Sequence, residues 1–134
     1  MRLISILVIF ALAAFSFAAC SSSSSNAAAP LSTAEIQQAV QSGKKSVIFF
    51  INPSGYPCRM QDEILQKLHS DRKGSFNLVP VVTMNYDHQQ AFYDYGIRSL
   101  PAMVLLDSKG GIAKHFPPGI QPYEIVAQEL DNTK

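Results

Sequence analysis

Three rhythms of apolar and polar positions run along this chain, and each predicts a different kind of element. Ser32-Thr33-Ala34-Glu35 fits a capping box, with Ser32 at the N-cap and Glu35 three residues on. Ile36, Ala39 and Val40 then share one helical face, and Gly43 ends that helix. "SVIFFI", Ser46 to Ile51, does not alternate at all, which predicts a strand buried on both faces. Ser54-Gly55-Tyr56-Pro57 is turn chemistry, and Pro57 suits the first position of a helix. Met60, Ile64, Leu65 and Leu68 follow at helical spacing, so the helix should run from Pro57 to His69. After the loop "SDRKGS", "FNLVPVVTMNY" reads as a strand that Pro80 makes irregular or confines to an edge. Asp87 should cap a short helix, "HQQAFYDY", which Gly96 ends. "PAMVLLD" is a strand, "SKGG" a tight turn and "IAKHF" its hairpin partner. "QPYEIVAQEL" is a last helix, with Tyr123, Val126, Ala127 and Leu130 facing inward.

The order is therefore helix, strand, helix, strand, helix, strand, strand, helix. Strands separated by helices need crossovers and are expected to pair in parallel, while the final hairpin must be antiparallel. A central mixed sheet covered by helices on both faces follows, an α/β architecture.

The first thirty residues follow none of these rhythms. Arg2 is followed by the apolar run "LISILVIFALAAFSF" and then by Ala18-Ala19-Cys20. This is the layout of a secretory signal with a small-residue cleavage site, expected over residues 1–19. The cysteine directly after the small residues resembles a bacterial lipobox, with Phe17 where Leu is usual. The resemblance implies that Cys20 becomes a lipid-modified N-terminus. The competing reading is an uncleaved membrane anchor, for which the run is somewhat short against the roughly 20 residues a spanning helix needs. "SSSSSNAAAP" has the composition of a flexible coil, so residues 20–30 are expected to be a tether and 31–134 the folded domain. Ser21 after the cysteine resembles lipoproteins sent to an outer membrane. The expected place is thus the bacterial cell envelope, on the extracytoplasmic side.

Charge changes little in this picture. The 134 residues carry 11 Lys and Arg against 10 Asp and Glu, so nothing suggests a nucleic-acid partner. The two cysteines matter more. If Cys20 carries lipid its sulfur is consumed, and Cys58 is left as a single thiol in a compartment that permits disulfides.

Cys58 stands in a suggestive place. "VIFFINPSGYPCRMQDEIL" resembles the strand, active-site turn and helix of the thioredoxin family, and Pro57-Cys58-Arg59-Met60 matches the end of its Cys-Gly-Pro-Cys-Lys/Arg-Met motif. "YGIRSLPAMVLLD" is similar to the family's segment leading into the cis-proline strand, which implies that Pro101 is the cis-proline. "DSKGGIAKHF" resembles the hairpin that follows. The resemblance runs from about Leu31 to Leu130 and implies a thioredoxin fold with a mixed four-stranded sheet. The departures are equally specific. Gly55 stands where the family has its nucleophilic first cysteine, Phe49 where it has a buried acid, and Ser54 where it has Trp. A dithiol cycle needs one thiol to attack and another to release the mixed disulfide, so this chain does not complete that cycle alone.

Two functional readings follow. In the first, Cys58 acts as a monothiol that forms mixed disulfides with proteins or small thiols and is released by an external thiol. A helix N-terminus and the neighbouring Arg59 are the surroundings in which a reactive sulfur is expected. Any enzyme activity would be of the monothiol disulfide-oxidoreductase kind. In the second, the domain is redox-silent, Cys58 is a small core hydrophobe, and an extended peptide or partner binds beside Pro101. Leu100 and Ala102 would flank that groove, with Tyr56 on its opposite rim and Gly55 serving only as a turn residue with positive φ. No cofactor is implied. Cys58, Met60, Met84, His69, His88 and His115 are ligand types that suit copper, but their spacing forms no compact motif and no metal site is expected.

Overall fold

The computed structural model describes residues 25–134. The expected signal segment and Cys20 lie outside the described residues. Eight regular elements follow one another: α1 (Ala34–Gln41), β1 (Ser46–Ile51), α2 (Tyr56–Asp71), β2 (Asn77–Val82), α3 (Gln89–Asp94), β3 (Ala102–Leu106), β4 (Ile112–His115) and α4 (Tyr123–Asn132). A 3-10 turn, Tyr86–His88, leads into α3. No helix among the described residues is long and apolar enough to cross a membrane.

The sheet has the order β2-β1-β3-β4, with the apolar run "SVIFFI" at its centre. All six residues of β1 are buried, because both faces of the sheet are covered. The alternation of a strand then divides them between two cores. Val47, Phe49 and Ile51 join Leu65, Leu68, Met103, Leu105 and Val126 on one face. Ile48 and Phe50 join Ile36, Val79, Val81, Val104 and Leu106 on the other. Burial of a Phe or Ile side chain stabilises by roughly 1.5–3 kcal/mol, so the centre of β1 anchors both layers. The sheet, its covering helices and both cores lie within residues 25–134.

Pairing of β1 with β2 is parallel, from Ser46↔Asn77 to Ile51↔Val82. Pairing of β1 with β3 is antiparallel, from Ser46↔Leu106 to Phe50↔Ala102, although a helix separates β2 from β3. The expectation of parallel pairing therefore fails at β3. The 3-10 turn and the six-residue α3 do not carry the chain back along the sheet. They carry it across the end of β1, so β3 enters from the end at which β2 leaves. Pro80 sits exposed in β2, which is an edge strand.

Two caps differ from the sequence reading. Thr33, not Ser32, is the N-cap of α1: its backbone is extended and its Oγ1 accepts from the N–H of Ile36 at 3.2 Å. Ser32 instead donates to Asp94 Oδ2 at 2.5 Å and ties the start of α1 to α3. Asp87 does not cap α3, whose N-cap is His88 without a side-chain bond; Asn85 caps the preceding 3-10 turn, accepting from the Asp87 N–H at 3.0 Å. The helix α2 begins one residue before Pro57 and ends two beyond His69, where Lys67 and Asp71 form an i,i+4 ion pair.

The expected tether is partly folded. Asn26 Nδ2 donates to Asp107 Oδ2 at 2.8 Å, the Ile112 N–H donates to Ala27 O at 2.7 Å, and the Ala29 N–H donates to Gly110 O at 2.9 Å. This short strap lies antiparallel along the start of β4, and Ala29 is buried. Two glycines make room for the hairpin and the strap. A Cβ on Gly110, which has φ +81°, would lie 2.5 Å from Val40 Cγ1, and one on Gly111 would lie 2.8 Å from Asn26 Cβ. Residues 26–30 thus belong to the folded body, because their backbone groups find partners on the sheet edge.

Candidate functional site

The ends of β1 and β2 and the beginning of β3 meet at one end of the sheet. Here β1 gives way to Asn52, a turn, and the first helical turn of α2. Asn52 organises the turn at three points. Its carbonyl accepts from the Gly55 N–H at 2.9 Å, and its Oδ1 accepts from the Ser54 N–H at 3.1 Å. Its own N–H donates to Cys58 Sγ at 3.4 Å. Gly55 is the N-cap of α2, with φ −82° and ψ 129° and no side chain to hold the first N–H groups. That backbone is open to any residue, so the expectation that Gly55 serves a positive φ does not hold.

Cys58 is a free cysteine and only 2% exposed. It packs in the core formed by Phe49, Ile51, Met103 and the inner face of α2. Phe49 is fully buried and supplies no proton carrier beneath the sulfur. Arg59 turns to the surface, where its Nη1 donates to Ser54 O at 3.0 Å and its guanidinium lies 5.9 Å from the centre of the Tyr56 ring. Tyr56 is 65% exposed. A Cβ built on Gly55 would lie 3.7 Å from Cys58 Sγ and 3.9 Å from Cys58 Cβ. The turn therefore keeps the geometry of a two-sulfur site, with one side chain absent.

The Leu100–Pro101 peptide is cis. Pro101 is buried and its carbonyl accepts from the Gly119 N–H at 3.0 Å. Leu100 is half-buried and packs against both cores, and Ala102 is buried as the first residue of β3. The 117–122 loop is held from below by Gln61. This fully buried glutamine accepts from the Gln121 N–H at 2.5 Å and donates to Gln121 O at 3.4 Å. Sequence reasoning missed both Gln61 and Asn52. A signal for Gln61 was present: it falls in the stripe Cys58, Gln61, Leu65, Leu68, where a polar residue must find partners inside.

A thioredoxin-like domain model matches residues 33–134. The chain belongs to the thioredoxin-like family. None of the curated proteins matches it. Among solved structures, it is similar to an uncharacterised thioredoxin-like protein from Clostridium perfringens, at 20% identity and a TM-score of 0.62, over 68% of this chain and 71% of that one. It is similar also to a crystal structure described as the pneumococcal exposed lipoprotein thioredoxin of Streptococcus pneumoniae, at 16% identity and a TM-score of 0.62, over 72% and 89% of the two chains. These likenesses bear on the thioredoxin-like fold, whose mixed four-stranded sheet is the one described above.

Within that fold, Gly55, Tyr56, Pro57, Cys58 and Arg59 form one turn-and-helix unit, and Leu100, Pro101 and Ala102 lie at the same end of the sheet. The remaining soft ligand types are scattered. His69 packs edge-on against Phe76, at 5.2 Å between ring centres. His88 is buried and its Nδ1 accepts from the Val82 N–H at 2.9 Å. His115 and Met84 are exposed on separate elements. Among the described residues, no three His, Cys, Asp or Glu gather as a metal would require.

Proposed function

We propose that this thioredoxin-like protein has a redox-type role in the cell envelope, with Cys58 as its single working sulfur. The observation that carries the reading is the 3.7 Å between Cys58 Sγ and the Cβ position of Gly55. A partner's sulfur seated in the space left by that absent side chain would lie within reach of Cys58. In the exchange, the Cys58 thiolate attacks a disulfide of the partner. The partner's S–S bond breaks, a Cys58–partner S–S bond forms, and the departing sulfur leaves as a thiolate that takes up a proton. An external thiol then attacks the mixed disulfide and returns Cys58 to its reduced form. The Leu100–Pro101 edge would hold the partner chain in extended form. The lipobox-like segment at Cys20 supports attachment to a membrane, in keeping with a fold neighbour that is itself an exposed lipoprotein. The decisive measurement is the rate of Cys58 alkylation against pH in the folded chain beginning at Ser21. A rate well above that of unfolding-limited labelling, abolished in Cys58→Ser, supports the thiol role. Labelling that waits for unfolding refutes it.

A second reading rests on the burial of Cys58 and on Phe49 beneath it. In it the same end of the sheet binds an extended partner without sulfur chemistry. Cys58→Ser would then retain function, while Tyr56→Ala or Leu100→Asp would lose it.

A further inference from the structure

The end of the sheet opposite Cys58 has a chemistry of its own. It is formed by the start of β1, the loop before β2, the β3–β4 hairpin and the last turn of α4. Lys44, Lys45, Arg72, Lys73, Lys109 and Lys134 lie there, against Asp71, Asp107 and Asp131, an excess of three positive charges. The described body as a whole is balanced, so the Cys58 end and the flanks carry the matching negative excess. The three acids are already engaged: Asp71 with Lys67, Asp107 with Asn26, Asp131 with Arg72. Some of the cations serve the fold, since α1, α2 and α4 all end here and present carbonyls. Lys45 Nζ donates to Leu130 O at 2.8 Å, and Lys44 Nζ to Gly74 O at 3.4 Å. The side chains of Lys73 and Lys109 make no hydrogen bond or ion pair among the described residues, and both are exposed. The loops surround a depression of about 310 Å³ whose polar lining is Lys44, Lys45, Arg72, Ser75, Ser108 and Asp131, so three cations outnumber one carboxylate that is already paired with Arg72. Its size and lining suit a phosphate headgroup.

The strap is fastened at this same end. Asn26, one residue after the first described one, is bonded to Asp107. Four residues lie between Cys20 and Ser25, so even a fully stretched chain over these five steps would reach at most about 18 Å. We infer that this basic end is a docking surface for an anionic lipid bilayer, which turns the Cys58 end away from the membrane. The length of β1, roughly 20 Å, would then separate the sulfur from the lipid surface. The orientation rests on reading Cys20 as the lipid attachment; the affinity of the basic end for lipid does not.

The test uses the chain beginning at Ser21, which carries the whole folded body, and vesicles of equimolar phosphatidylglycerol and phosphatidylcholine. At low salt the protein should sediment with these vesicles at least roughly tenfold better than with phosphatidylcholine alone, and salt should reverse the binding. The variant Lys44→Glu/Lys73→Glu/Lys109→Glu should lose that preference, and Arg98→Glu at the far end should keep it. Equal sedimentation with both vesicle types, none with either, or equal loss in the two variants would each overturn the inference. Circular dichroism of the variants guards against a folding defect. A mass measurement showing Cys20 unacylated in cells would remove the attachment and leave the vesicle result standing.

Discussion

Gly55→Cys should give this protein the disulfide it lacks. The new Cβ would lie 3.9 Å from Cys58 Cβ, within the roughly 3.5–4.5 Å found across disulfides. Its other close neighbour is Asn52 O at 3.4 Å, an ordinary van der Waals distance, and φ −82° accepts any residue. The replaced group is an N-cap glycine with no side-chain hydrogen bond, so the change itself costs only a few tenths of a kcal/mol. Closing a loop of four residues stabilises by about 2 kcal/mol in the chain-entropy model. The oxidised variant should therefore unfold at higher denaturant than its reduced form by that free energy. In the chain beginning at Ser21, intact-mass measurement should show the loss of two hydrogens and no alkylatable thiol, and the variant should catalyse insulin reduction where the parent does not. Recovery of two freely alkylated thiols after mild oxidation would refute the geometry of the turn. An oxidised form less stable than the reduced one would refute the claim that the site is strain-free with two sulfurs.

Other outcomes follow from the same distances. Gln61→Ala leaves the Gln121 N–H and carbonyl without their partner and should cost about 1–3 kcal/mol in denaturant unfolding, with faster hydrogen exchange confined to the 117–122 loop. Gly110→Ala combines a 2.5 Å clash with Val40 and φ +81°, and should destabilise by about 1–3 kcal/mol, measured by thermal unfolding. Burial, with a lesser contribution from the Asp94 charge, pushes the Tyr95 phenol up to about 12 from 10. The neutral phenol is thus favoured by folding: its contribution is complete below pH 10 and fades as pH rises toward 12. Because the hydroxyl is only part-buried, about 1–2 kcal/mol should be lost in that window, and Tyr95→Phe should flatten the alkaline limb of the stability profile. Burial pushes the Asp107 carboxyl up, but hydrogen bonds from Asn26, Gly111 and Lys109 and the Lys109 charge together hold it below its ordinary value of 3.8. Its contribution is present above pH 3.8 and is lost as pH falls through the lower folded value, so the protection of the Ala29 N–H relative to its intrinsic exchange rate should fall in acid before the core opens.

Much of this fold was legible in the chain because its strongest signals are local. "SVIFFI" names a strand buried on both faces, Pro57 opens a helix, and Gly43 and Gly96 close two others. What was not legible depends on distant partners. Ser32 and Thr33 are equivalent caps by composition, and only Asp94, brought near by the fold, draws Ser32 away. The antiparallel turn of β3 depends on where a short connection lands, not on any residue in it. At that end of the sheet, the chain already told that Cys58 opens a helix and that a cis-proline, Pro101, leads into β3. It carried no measure of how deeply the sulfur is covered, nor of Asn52 N–H reaching it. Asn26 to Pro30 looked like more linker because small residues are mute about pairing until a sheet edge is beside them.

That strap and Pro80 act on opposite borders of the same sheet. A sheet border is a template for a second molecule, and long bare ones invite aggregation. On β2 the ladder to β1 is unbroken through Phe49↔Pro80, so the donor that proline lacks falls on the outer side and a newcomer meets a gap. On β4 the outer border is taken at its start by the protein's own Ala27–Ala29. A second copy approaching edge-on thus meets a missing donor on one flank and an occupied start on the other.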